Sequence, residues 1–191
     1  MRLRSGALST ALVAAAWSAV MLWPVLRAPS STIPLDAGDP ILNASILHSN
    51  ATHVPLTDEW WNFPSYFPAQ GVTTFTEHLL GLWPFASPVI WITGDPVLGY
   101  NVVFFLSFVL SAVTMYALVH ELTKSGAGAL IAALAFSFNA YRIGQFPHIQ
   151  MLMTWGMPLA LLGLHRYVAT GRAGALVLFG IGWLATGLSN G

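Results

Sequence analysis

The run HLLGLWPFASPVIWITG at residues 78–94 decides how the rest of the chain is laid out. It is apolar, but it carries Pro84 and Pro88, and its apolar heart is only about fifteen residues. A helix that crosses the hydrocarbon core needs ~20 mostly apolar residues, and shorter runs fit interfacial or re-entrant segments. The charges outside the run settle the choice. With Arg2 and Arg4 in the cytoplasm, a full crossing by residues 78–94 would put Lys124, Arg166 and Arg172 all outside, against the positive-inside preference. A segment that lies in the interface puts Lys124 and the loop 166–172 inside and leaves Arg27 and Arg142 outside. The second layout is adopted.

Outward from that run, the composition points the same way. Charged residues are 7% of the 191 positions, where a soluble domain has about 25%, and mean hydropathy is +0.66. So few charges cannot cover a water-soluble particle, which excludes a soluble globular domain. Zero cysteines exclude disulfide scaffolds, thiol catalysis and cysteine-ligated metals. Seven acids balance seven Lys/Arg and no basic run exists, so nucleic acid is not an expected partner.

All seven acids (Asp36, Asp39, Asp58, Glu59, Glu77, Asp95, Glu121) lie between Arg27 and Lys124, a stretch without Lys or Arg. Uncharged runs cover residues 5–26, 96–120, 125–141, 143–165 and 173–191. The expected fold is an all-α membrane protein with about five transmembrane helices, near residues 7–26, 96–120, 126–141, 150–167 and 173–189. A large acidic outer loop with interfacial helices, residues 27–95, follows the first span. The first span reads as an uncleaved anchor, since its apolar part exceeds the ~7–15 residues of a signal-peptide core and carries Trp17 and Trp23. Residues 1–191 form a single transmembrane module. Its apolar end at Gly191 reads as a C-terminal cut.

The outer loop holds five acids (Asp36, Asp39, Asp58, Glu59, Glu77), three histidines (His48, His53, His78) and the aromatic cluster Trp60, Trp61, Phe63, Tyr66, Phe67. Such rings anchor in the membrane interface or stack on sugars. Gly-Asp-Pro occurs twice, at residues 38–40 and 94–96. It is a helix-start signal: the Asp accepts from the first free backbone N–H groups, and Pro at the first helical position sacrifices no bond. Capping accounts fully for Asp95, which precedes a long apolar run. Asp39 heads only a short amphipathic segment inside an acidic loop, so it is also a candidate for chemistry. Asn43-Ala44-Ser45 and Asn50-Ala51-Thr52 match glycosylation acceptors by form alone. His120-Glu121-Leu122-Thr123-Lys124 lacks the second histidine of a zinc motif.

The order of one span, a long acidic outer loop with an early Asp, then successive spans resembles the bacterial membrane glycosyltransferases of the GT-C superfamily. Gly38-Asp39-Pro40-Ile41-Leu42-Asn43, Tyr66-Phe67-Pro68-Ala69-Gln70-Gly71 and Glu77-His78-Leu79-Leu80-Gly81 look like motifs of uncharacterised members, as does Tyr141-Arg142 followed by Pro147-His148-Ile149-Gln150. The resemblance covers residues 36–150 at the level of pattern. Many such enzymes carry two adjacent acids in this loop, whereas here Asp39 is followed by Pro40.

The resemblance implies transfer of a sugar from a polyprenyl-phosphate donor to a glycan, lipid or protein acceptor. The setting would be the outer face of a bacterial inner membrane, with the N-terminus in the cytoplasm. The residues are compatible with it: a carboxylate can take the acceptor's proton, and positive charge can help the phosphate leave. Asp39 is the candidate base. Glu77 and His78 are candidates for substrate orientation or, with Asp39, for holding a divalent cation such as Mg or Mn. Arg142, helped by His148 and with Gln150 beside it, is a candidate phosphate clamp, against the alternative of an arginine snorkelling from a helix end. The competing classes are a non-catalytic membrane assembly subunit and a transporter, which needs ionisable groups and broken helices inside its spans.

Overall fold

A computed structural model describes residues 2–189, all helices and connecting loops with no strand among them. The apolar end at Gly191 lies outside the described residues. Helix α1 (Arg2–Met21) continues through a single turn residue into α2 (Trp23–Leu26), where Pro24 stands at the start. Its face of small residues, Gly6, Thr10, Ala14 and Ser18, recurs every fourth position, and the last three are buried. That face lies on α6 (Pro96–Thr123), where a side chain on Gly6 would strike the hydroxyl of Tyr116. The opposite face leaves Leu8, Leu12, Trp17 and Val20 exposed. Small residues inward and large apolar ones outward is the pattern of helices packed in lipid, where close backbone approach replaces the hydrophobic effect as the driving force.

α6 is 28 residues, about 42 Å long, and is the spine of the molecule. It starts where Asp95 caps it, with Oδ1 accepting from the N–H groups of Val97 at 2.9 Å and Leu98 at 3.0 Å. Lys124 in the left-handed region closes it. The chain returns as α7 (Gly126–Ser137), breaks at Phe138, and restarts as α8 (Ala140–Gly144) under a cap from Asn139, whose Oδ1 accepts from Arg142 N at 3.0 Å. A turn and α9 (Ile149–Leu152) lead to the hairpin α10 (Gly156–Thr170) and α11 (Ala173–Gly187).

Among the described residues, two segments are long and apolar enough to cross a membrane: α6, and Gly126–Gly144, which joins α7 and α8. Ser5–Met21 and Ala173–Gly187 are apolar but shorter. The expected span at residues 150–167 is corrected, because its first part is the separate turn α9, and α10 begins only at Gly156. Packing sets that start: Gly156 and Gly182 face each other so closely that a Cβ on either would meet the other helix's backbone. At 15 residues, about 22 Å, α10 and α11 are shorter than a ~30 Å hydrocarbon core.

The outer-loop region folds into α3 (Asp39–Thr52), α4 (Asp58–Trp61), a short 3-10 turn (Val72–Thr74) and α5 (Trp83–Thr93). The run 78–94, expected not to cross, forms in α5 a helix of only 11 residues, about 16 Å, with Pro84 at its start and Pro88 inside. It docks on α3 through its tryptophans: Trp83 Nε1 donates to Asn50 O at 2.9 Å and Trp91 Nε1 to Ala51 O at 2.7 Å, satisfying carbonyls at the end of α3. Asn50 Nδ2 donates to His78 O at 2.8 Å. Asn43 and Asn50 are both buried, so neither acceptor-like tripeptide presents its amide to a modifying enzyme.

The ion pairs lie toward the two ends of α6. At its C-terminal end Glu121 is paired with Lys124 at 3.5 Å and with Arg166 at 3.2 Å. At its N-terminal end lie α3, α5 and a core built on Ile46, Leu47, Tyr100, Phe104, Phe108 and Ile149.

Candidate functional site

Asp39 is the first residue of α3, and Gly38, not Asp39, is the cap. No side chain caps this helix; Asp36 Oδ1 instead accepts from Gly38 N at 2.9 Å and shapes the approach. The Asp39 carboxylate is left outward-facing at a helix N-terminus, where an anion is favoured. It meets His148, whose Nε2 lies 3.1 Å from Asp39 Oδ2. The two are 109 positions apart in the chain, and both side chains stay about half exposed, at 54% and 41%. Nε2 donates and the carboxylate accepts, which orients the ring and leaves Nδ1 on the buried side, where it has no hydrogen-bond partner.

His148 is held there by the connection between α8 and α10. Its N–H donates to Gln145 O at 2.9 Å, and its own carbonyl accepts from Met151 N at 2.9 Å, so it stands at the junction of two turns. Beneath the pair lies Tyr100, whose buried hydroxyl makes no hydrogen bond and which is within electrostatic reach of Asp39. Sequence reasoning missed Tyr100. Its position five residues into the helix that Asp95 caps, on the face toward α3, was the available signal.

Arg142 does not snorkel. Only 3% of the residue is exposed, and its guanidinium turns into the bundle. Nη1 donates to Thr154 Oγ1 at 2.5 Å, Nη2 donates to Ser107 O at 3.3 Å, and the group lies 4.9 Å from the centre of the Phe108 ring. Nε has no partner, and no acid pairs with it among the described residues. Ser107 and Phe108 are near the middle of α6, so the charge sits at mid-depth of the bundle. His148 therefore pairs with Asp39 and not with Arg142.

Gln150 is buried with Oε1 unpartnered. It lines a cavity of about 240 Å³ together with Tyr141, Met153, Thr154, Met157 and Thr186. Thr154 links that cavity to Arg142.

Glu77 and His78 stand apart from Asp39 in the structure's hydrogen bonds and ion pairs. Glu77 Oε2 is buried without a partner. His78 Nδ1 accepts from Leu80 N at 3.1 Å, and burial lowers its pKa below 6.5 against the upward pull of Glu77. An imidazole that accepts at Nδ1 and is half-buried is held neutral. Asp39, Glu77 and His78 do not form a three-ligand group; among the described residues no cluster of three or more His, Asp or Glu is placed to hold a metal ion. Asp39 and His148 meet as a pair of potential donors, not as a set of three.

The arrangement offers a half-exposed carboxylate oriented by an imidazole at one end of an apolar bundle, and below it a buried guanidinium reached through a threonine hydroxyl. No family model matches the chain, and no curated protein or solved structure is significantly similar to it.

Proposed function

We propose that the chain is a membrane glycosyltransferase module that uses a polyprenyl-phosphate sugar and works on the outer face of the bilayer. The observation that carries this reading is the Asp39–His148 contact at 3.1 Å. It joins the early Asp of the acidic loop to the histidine after Arg142, two motifs that the GT-C resemblance names separately. A helix-starting Asp whose carboxylate is excused from capping and aimed at an imidazole is arranged to take a proton. In the proposed step an acceptor hydroxyl loses its proton to Asp39 while its oxygen bonds to the anomeric carbon, and the lipid phosphate leaves with the electrons of the broken glycosidic bond. His148 positions the carboxylate.

The membrane placement rests on separate observations. The long apolar α6, the outward apolar face of α1, and the collection of Lys124, Arg166 and Arg172 at the end of the bundle opposite Asp39 support the positive-inside layout. The test is transfer of labelled sugar from a synthetic polyprenyl-phosphate donor by membranes holding the full-length protein. Cysteines placed at Ser125 and Thr170 and probed with an impermeant thiol reagent test the layout. The reading is overturned by absence of donor turnover under conditions where the protein is folded, and the layout by labelling of both cysteines from outside.

One observation favours a second class. Helices broken between Ser137 and Gly156, with an unneutralised Arg142 at mid-depth, are features of a transport pathway. Uptake of a labelled sugar or anion into proteoliposomes, abolished by Arg142→Gln and unaffected by Asp39→Asn, would select it over the transferase.

A further inference from the structure

A second cavity lies far from Asp39, at the opposite end of the bundle. It is a cleft of about 500 Å³ lined by Glu121, Arg166, Thr170, Arg172, Ala175 and Leu178, where α6, α10 and α11 meet. Its charges do not balance. Glu121 is shared by Arg166 at 3.2 Å and Lys124 at 3.5 Å, while the guanidinium of Arg172 has no ion pair or hydrogen bond among the described residues. Two arginines against one carboxylate, itself shared with Lys124 beside the cleft, leave it positive. Arg166 keeps part of its donor fork free, since only one of its amino groups is engaged by Glu121.

The helix surface around the cleft is apolar: Leu122 on α6, Val168 on α10, and Leu176 and Val177 on α11 turn away from the lining and are 54%, 79%, 41% and 62% exposed. A soluble anion would leave that surface uncovered. A molecule with a phosphate head and hydrocarbon tails matches both parts, as guanidinium forks suit phosphate oxygens and the exposed side chains suit acyl chains.

We propose that this cleft binds the phosphate of an anionic phospholipid, held between Arg166 and Arg172 with its acyl chains along α10 and α11. A bound lipid there would tie the α10–α11 hairpin to the end of α6. The inference rests on the membrane placement proposed above and not on the chemistry at Asp39.

The test uses the full chain in nanodiscs of phosphatidylcholine alone or with added phosphatidylglycerol, and counts phosphatidylglycerol retained on the protein by native mass spectrometry. Retention is expected in the wild type and about fivefold weaker in Arg172→Gln, the factor one basic residue contributes at an anionic surface. Arg172→Gln leaves the Glu121 pairs intact, so a folding defect is not the expected cause, and the unfolding midpoint in phosphatidylcholine checks this. Arg27→Gln, at the other end of the molecule, should bind like the wild type. Equal retention by wild type and Arg172→Gln overturns the site. Displacement of the lipid by millimolar inorganic phosphate overturns a lipid as its occupant. Failure of the chain to enter phosphatidylcholine nanodiscs at all overturns the membrane placement instead.

Discussion

The same tripeptide, Gly-Asp-Pro, opens two helices in this chain and does two different jobs. At residues 94–96 the glycine is the left-handed C-cap of α5, and Asp95 is the true cap of α6, with both N–H bonds taken by one oxygen. The hydroxyl of Ser30, then the N–H of Leu98, hold its carboxyl below the usual 3.8. At residues 38–40 the cap has slipped back to Gly38, and Asp39 has become the first helical residue with no capping bond. Its carboxylate is thereby free to meet His148. Identical local chemistry is thus steered by what precedes it. A helix ends at Gly94, whereas an Asp36 turn precedes Gly38.

The largest expected effect is on function. Asp39→Asn keeps the helix start but removes the proton acceptor, and lowers sugar transfer ~10²–10⁴-fold, while Asp95→Asn leaves transfer near wild type. Rates at equal membrane abundance check this, and equal activity of the two variants would remove Asp39 as the base.

Next comes Arg142, which holds the segment carrying His148. Arg142→Lys cannot copy two divergent hydrogen bonds and the stack on Phe108, and costs about 1–3 kcal/mol of stability, read by thermal unfolding in detergent. A stability equal to wild type would mean that the guanidinium geometry is not what anchors the segment.

Alanine at each site separates the two helix starts in stability. Asp95→Ala loses two capping bonds and costs about 1 kcal/mol, whereas Asp39→Ala costs only the few tenths expected of an anion near a helix N-terminus. Unfolding midpoints of the two variants check the order.

The smallest effect concerns acid pH. His78 has a folded pKa below its ordinary 6.5, so the unfolded chain binds its proton first as pH falls. Its contribution is complete above 6.5 and declines as pH drops from there through the lowered folded value. In His78→Asn, which keeps an acceptor for Leu80 N–H, the unfolding midpoint should fall less between neutral and mildly acid pH. Asp95 acts in the same direction at lower pH, its cap being complete above 3.8 and lost as pH falls through the depressed value.

The all-helical class, the long α6 and its start at Asp95 were legible in the residues, because a continuous apolar run after an Asp-Pro signal leaves few alternatives. So was a short, proline-bearing helix in residues 78–94, which forms over Trp83–Thr93. Apolar runs did not reveal where helices break. Residues 125–141 and 143–165 read as two spans, yet the backbone is interrupted at Phe138 and again at Met153–Trp155. Hydropathy averages over such breaks, and they are placed by contacts such as Gly156 against Gly182 and Arg142 against Ser107 and Thr154.

Sequence alone thus determined that this chain is helical, which acids and histidines could do chemistry, and that Lys124 and Arg166 belong to one end. Only the tertiary structure decided which candidates meet. Asp39 and His148 are joined across 109 positions, Arg142 is turned inward, and Glu77 and His78 stay apart from Asp39. The physical reason is range. Capping, proline placement and hydropathy act within a turn or two of helix, whereas pairing between distant side chains depends on how helices cross, which small residues and buried polar contacts set.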